Sequence, residues 1–199
     1  MLLSSSVNTL PFASLSKLLA AKMWHLRRTK VIIVASSPAS VPIAKELAAH
    51  LDVIWDKQYC KAVEHPGNPK ATIGSITSDK VLIHDEAIRI HQGYIEHQVQ
   101  MMKRLVAGSG TVEATLFKGE TFVIVRREIS KTDEVLALVE SLRRNDPGEI
   151  LIATPEISRD ARHELEAHVD RIISLSHHTD RRHSRISKMH TSPNVTKNP

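Results

Sequence analysis

Arg126, Arg127, Glu128, Ser130, Lys131, Thr132, Asp133 and Glu134 stand directly after the apolar run Phe122–Val125. A buried strand, a short loop, then a helix from about Asp133 to Arg144 is the layout of a phosphate-binding turn at the carboxyl edge of a parallel sheet. In such a turn, backbone amides at the start of the helix hold an anion. The residue types do not suit that task. No glycine lies between Gly119 and Gly148, two arginines follow the strand, and two acids stand where an anion would dock. The pattern is that of an enzyme fold whose active loop has been rewritten.

Arg126 and Arg127 could form a new anion site, for a nucleotide or a nucleic-acid phosphate. Pairing with Glu128, Asp133 or Glu134 is favoured, because those acids lie so close in sequence. Ser130 and Lys131 read as surface loop residues, with contact to a phosphate as the alternative. Pro66, Gly67, Asn68, Pro69 and Gly74 could line a pocket, although turn chemistry explains them equally well. The 12 histidines raise the question of a metal. Those at 177, 178, 183 and 190 lack a supporting carboxylate shell, and His163 and His168 are five apart, so no metal site is expected. Cys60, the only cysteine, has no activating partner in sequence and reads as a buried thiol.

These residues need a frame to hold them. The chain of 199 residues is 41% hydrophobic and 25% charged, ordinary for one globular domain. Aromatics at 4% leave the core to aliphatic packing and argue against a base-stacking surface. A single cysteine excludes a disulfide framework and suits a reducing, cytoplasmic compartment. The charge of +5 is concentrated at the two ends, since no acid precedes Glu46 and Asp180 is the only acid from Ser176 to Pro199. No run is long and apolar enough to span a bilayer. The acid-free start superficially resembles a mitochondrial targeting segment. Leu15, Leu18, Leu19 and Met23 at helical spacing instead predict a packed first helix over Ser14–His25.

A strand over Lys30–Ala35 follows, then a helix N-capped by Ser40 with Ile43, Ala44, Leu47 and Leu51 inward. Strands are predicted at Asp52–Trp55, Thr72–Ile76 and Val81–His84, with Glu64–Pro69 as a loop. The longest helix runs from Asp85 to about Val106, with Ile88, Ile95, Val99, Met102 and Leu105 on one side and Gly108 and Gly110 ending it. Further strands are expected at Thr111–Phe117, Phe122–Val125, Glu149–Ala153 and Arg171–Leu175, with a helix over Ile157–His168. This alternation predicts an α/β, Rossmann-like, mostly parallel sheet with helices on both faces and a small antiparallel flap between Asp52 and Thr115. Residues 1–13 are expected to be flexible, 14–176 to form the domain, and 177–199 to be a disordered basic tail.

Several segments taken in order carry a resemblance. The segment His65–Ile76 resembles a Pro-Gly-Asn-Pro-Glu-x-x-Ile-Gly-Ala motif, and Ser40–Ala44 the end of an Arg-Gly-Gly-Val-Pro-Val-Ala loop. Tyr94–Glu96 and its helix, then Lys118–Val125, resemble the approach to a phosphoribosyl-diphosphate loop. From about Leu15 to Leu175 the chain resembles the type I phosphoribosyltransferases. In active relatives the strand ends in Asp-Asp followed by Gly-x-x-Thr-Gly-x-Thr. The acids hold the ribose hydroxyls and the loop cradles the 5′-phosphate. Here the acidic pair falls on Arg126 and Arg127, and the first glycine on Glu128. The Thr-Gly falls on Lys131 and Thr132, and the last Thr on Glu134. The diphosphate loop, Pro-Arg-Gly-Gly in the family, falls on Ser37, Pro38, Ala39 and Ser40.

Each exchange has a physical consequence. Guanidinium groups cannot accept hydrogen bonds from ribose hydroxyls. Side chains in place of glycine hinder close approach of the backbone to phosphate. Asp133 and Glu134 satisfy the helix dipole and repel a dianion. The resemblance therefore implies a degenerate member that has lost transfer, serving as a regulatory, ligand-sensing or oligomer-forming domain. Two alternatives are an active transferase of nucleotide or nucleobase metabolism with an altered loop, and a nucleic-acid-binding module using Arg126, Arg127 and the basic tail. Phosphoribosyl diphosphate and magnesium are implied only if activity is retained. The resemblance also implies a homodimer, and a regulatory role implies a protein partner.

Overall fold

A computed structural model describes residues 7, 10–77, 81–83, 85–106, 118–144 and 146–178. Five helices and nine strands are assigned among them: α1 (Phe12–Lys22), β1 (Val31–Ala35), α2 (Val41–Leu51), β2 (Ile54–Lys57), β3 (Cys60–His65), β4 (Asn68–Thr77) and β5 (Val81–Ile83), then α3 (Asp85–Val106), β6 (Thr121–Val125), β7 (Glu128–Ile129), α4 (Asp133–Arg143), β8 (Glu149–Ser158), α5 (Arg159–Leu165) and β9 (Arg171–His178).

The main sheet is parallel throughout, with β1 between β2 and β6, and β8 beside β6. The first half of β8 pairs with β6 and its far end with the two-residue β7, while β9 runs along the other side of β8. Among the described residues β9 has β8 as its one neighbour, which puts it at an edge of the sheet. Period-two alternation sorts the side chains between two cores. Ile32, Val34, Phe122, Ile124, Ile150 and Ile152 pack with α4 and α5. Val31, Ile33, Val123, Val125 and Leu151 pack with α1 and α2 on the opposite face. Every residue of β1 is buried, as a central strand covered on both faces requires.

Winding reverses between β1 and β6. From β1 the chain crosses through α2 to β2, whereas from β6 it crosses through α4 to β8 and through α5 to β9. Right-handed crossovers in opposite directions place the helices on opposite faces. The loops after β1 and β6 consequently open side by side at a switch point, the usual ligand position in such sheets. The antiparallel flap is a separate sheet of three strands in the order β3-β4-β5, packed with α3 through Tyr59, Val63, Ile73, Ile76, Ile95 and Met102.

The mostly parallel sheet, its two helical layers and the antiparallel flap match the fold class expected from sequence. Several details differ. Leu18 is 46% exposed on α1, because only Leu15, Leu19 and Met23 of that stripe turn inward. Ser40 gives no side-chain cap to α2 and instead ends a 3-10 turn over Pro38–Ser40. Asp52 is not in a strand: it adopts a left-handed conformation (φ 56°) that closes α2, and β2 starts two residues later. Only Pro66 and Gly67 form a turn within the predicted loop Glu64–Pro69, since the strands reach His65 and resume at Asn68. Register shifts on either side of Glu64 make the pairing irregular where β4 begins.

On α3, Ile88 and Leu105 are exposed while Ile95 and Met102 are buried. Non-helical angles at His91 (φ −126°, ψ 26°) kink the helix and rotate its two halves relative to each other. The predicted helix over Ile157–His168 is shorter, because β8 continues to Ser158. Ser158 Oγ then caps α5 by accepting from the Ala161 amide at 3.1 Å. His177 and His178 belong to β9 and not to a tail. The predicted strand at Thr111–Phe117, the glycines at 108 and 110, and the tail from 179 onward lie outside the described residues. No helix among the described residues is long and apolar enough to cross a membrane.

Candidate functional site

The switch point is built from the loops that follow β1 and β6. At the end of β1, the Ser36 amide and hydroxyl both donate to the Val125 carbonyl, at 3.2 and 3.0 Å. That ties the two loop origins together. Ser37 and Ser40 then close their turn with a hydroxyl–hydroxyl bond of 2.7 Å, and Pro38 and Ala39 face solvent between them. Arg126 donates its amide to the Ala153 carbonyl, so the first loop residue after β6 is fixed to the neighbouring strand. β7 next pairs Ile129 with Ile157 and buries the Ile129 side chain. The loop predicted after β6 therefore contains a strand of two residues, too short to leave a periodic signal.

The arginines go separate ways. Arg126 forms a half-buried ion pair between its Nη2 and Glu134 Oε2, with side-chain exposures of 20% and 23%. Its Nη1 is buried with no hydrogen-bond partner among the described residues. Burial lowers the Arg126 guanidinium from its ordinary value, and Cys60 nearby acts in the opposite sense. Arg127 instead lies over the Phe12 ring, 5.2 Å from its centroid, a cation–π contact with α1. Cys60 itself is buried, with its amide donating to the Ser36 carbonyl at 3.2 Å.

The acids at the head of α4 are tied to the flap. Glu134 Oε1 accepts from the Ala62 amide at 3.1 Å, and Asp133 Oδ2 accepts from Thr72 Oγ1 at 3.2 Å. Lys131 lies 3.9 Å from Glu64 of β3, and Ser130 donates to Glu128 at 2.9 Å. Thr132 is buried, and its carbonyl accepts the Leu136 amide as α4 starts. Ala62 and Thr72 were not singled out from sequence. A backbone amide carries no type signature, and a lone threonine in a strand reads as ordinary β-propensity.

Of the candidate pocket residues, only Gly74 lines the large cleft. That cleft, about 740 Å³, runs between the flap and α4, with Thr72, Gly74 and Ser75 facing Asp133, Glu140 and Arg143. Pro66 and Gly67 form the hairpin tip at the far end of the flap, next to α3. There His65 Nδ1 accepts the Gly67 amide at 3.0 Å, and His65 Nε2 lies 3.2 Å from His91 Nε2. An accepting Nδ1 leaves the neutral His65 proton on Nε2, so His65 donates to His91. Asn68 and Pro69 begin β4. Among the described residues, no group of three or more His, Cys, Asp or Glu could hold a metal.

The chain matches no protein-family model. Among solved structures, the TT1426 protein of Thermus thermophilus superposes with a TM-score of 0.64 at 20% identity, covering 85% of this chain and 84% of its own. A hypoxanthine phosphoribosyltransferase from Staphylococcus aureus superposes at 0.52 with 11% identity, over 90% and 77% of the two chains. An adenine phosphoribosyltransferase from Thermoanaerobacter pseudethanolicus gives 0.50 with 15% identity, over 84% and 80%. The architecture is the type I phosphoribosyltransferase fold: a parallel sheet between helical layers, with an antiparallel flap over its switch point.

Proposed function

We propose that this protein is a phosphoribosyltransferase-fold domain that has lost phosphoribosyl-diphosphate-dependent transfer and serves as a regulatory or ligand-sensing domain. The observation that carries the reading is the state of the α4 N-terminus, where Glu134 holds Arg126 and the Ala62 amide together. Asp133, with Thr72, adds a second tie to the flap. The residues at these positions do not fit phosphoribosyl diphosphate. A guanidinium offers no acceptor for ribose hydroxyls. Two carboxylates at the helix start oppose a 5′-phosphate, and the Ser37–Ser40 turn supplies no cation for a diphosphate.

The test is calorimetry with phosphoribosyl diphosphate and magnesium, supported by thermal melting. The expected result is no saturable heat and no melting shift at millimolar ligand. Saturable binding at micromolar concentration would overturn the reading and favour an active transferase of nucleotide or nucleobase metabolism.

A further inference from the structure

A second concave site lies at the β9 edge of the sheet, two strands away from β6. Arg159, Arg162 and His163 project from one face of α5 at i, i+3 and i+4 spacing, and His177 of β9 completes the wall. The pocket has a volume of about 330 Å³. Lys22, the last residue of α1, reaches the same strand and donates to the Ser174 carbonyl at 2.8 Å. Ser174 Oγ, in turn, lies 3.4 Å from both Arg162 Nη1 and His177 Nε2.

The charge balance is one-sided. Glu166 is the only acid in the lining, and it is engaged by Arg162 Nε at 2.8 Å. Arg159 makes no hydrogen bond or ion pair among the described residues. Two guanidinium groups and two imidazoles therefore line the pocket with one carboxylate that is already paired, and the Lys22 ammonium lies on the neighbouring Ser174 carbonyl. His177 registers this field: its pKa is lowered by burial, then by Arg162, Lys22 and Arg159, with Glu166 opposing. Converging arginines with planar donor forks suit the oxygens of a phosphoryl group. Nothing in the switch-point loops is needed to form this pocket.

We propose that the pocket of Arg159, Arg162, His163 and His177 binds a phosphate group carried by a small molecule. The bound dianion draws a proton onto His177, so binding strengthens as pH falls. The groups around that histidine are Arg159, Arg162, His163 and Glu166 from α5, Lys22 from α1 and Ser174 from its own strand.

The experiment follows the imidazole resonances of the full chain during titration with inorganic phosphate and pyrophosphate, at ionic strength held constant with chloride. Expected are saturable shifts of His163 and His177, a raised His177 titration midpoint in the bound state, and an affinity about tenfold weaker in Arg159→Gln. Arg159 is exposed at the start of α5 and glutamine is compatible with a helix, so a matching far-UV spectrum is expected of the variant; Arg162→Gln gives an independent second reading. Absence of saturable shifts, or unchanged affinity in both variants, would overturn the proposal. So would tighter binding through these arginines of an oligonucleotide lacking terminal phosphates, since the ligand would then be a nucleic-acid backbone.

Discussion

Arg126 and Glu134 are eight residues apart in sequence yet share one half-buried ion pair at the mouth of the fold. Removing one member leaves the other desolvated with no opposite charge, which costs more than removing both. Arg126→Met and Glu134→Gln should each destabilise the chain by about 1–3 kcal/mol, and the double variant by less than the sum. Urea unfolding of the four proteins measures the coupling, and simple additivity would refute it. The second residue-scale prediction concerns His177. Because its folded-state pKa is lowered, the unfolded chain takes up that proton first as pH falls through the ordinary histidine range. Stability contributed above that range is therefore lost on acidification. The melting temperature should drop between pH 7.5 and 5.5, and His177→Gln should reduce the drop; an unchanged profile would count against it. (Both pH values are roughly one unit either side of the ordinary histidine value.)

At the scale of elements, the flap is held at two ends. Its base is tied to α4 through Ala62 and Thr72, and its tip to the α3 kink through His65 and His91. Loops and hairpins with few buried contacts open at lower free energy than the sheet beneath them. His91→Ala should raise amide exchange around Pro66–Asn68 while leaving β1, β6 and β8 protected, as read by hydrogen exchange. Equal loosening of the central strands would show that the pair supports the whole domain. The elements also divide by how legible they were. β1, β6 and α4 could be read almost to the residue, because the two strands are continuous apolar runs and the helix has a regular apolar face. β7 and the full lengths of β8 and β9 could not. Their extra residues owe their strand conformation to hydrogen bonds with neighbours distant in sequence, and Pro155 obscures the pattern of β8 locally.

For the whole molecule, the family resemblance implies a homodimer, and sedimentation equilibrium is the direct check. Twice the chain mass at micromolar concentration is expected; a monomer throughout would refute the homodimer that the resemblance implies. The amino-acid sequence alone determined the fold class, since alternating buried strands and amphipathic helices admit few arrangements under right-handed crossover. It also set the order of Arg126, Glu128 and Glu134 after the apolar strand, with no glycine among them, because that is a matter of residue type. Only the tertiary structure decided which partner each of those residues takes. It separated Arg127 from Arg126, gave Glu134 to the flap as well as to Arg126, and gathered Lys22, Arg159, Arg162 and His177 at the β9 edge. Contacts such as Arg127 with Phe12 and Lys22 with Ser174 join residues more than a hundred positions apart, and no local pattern encodes that distance.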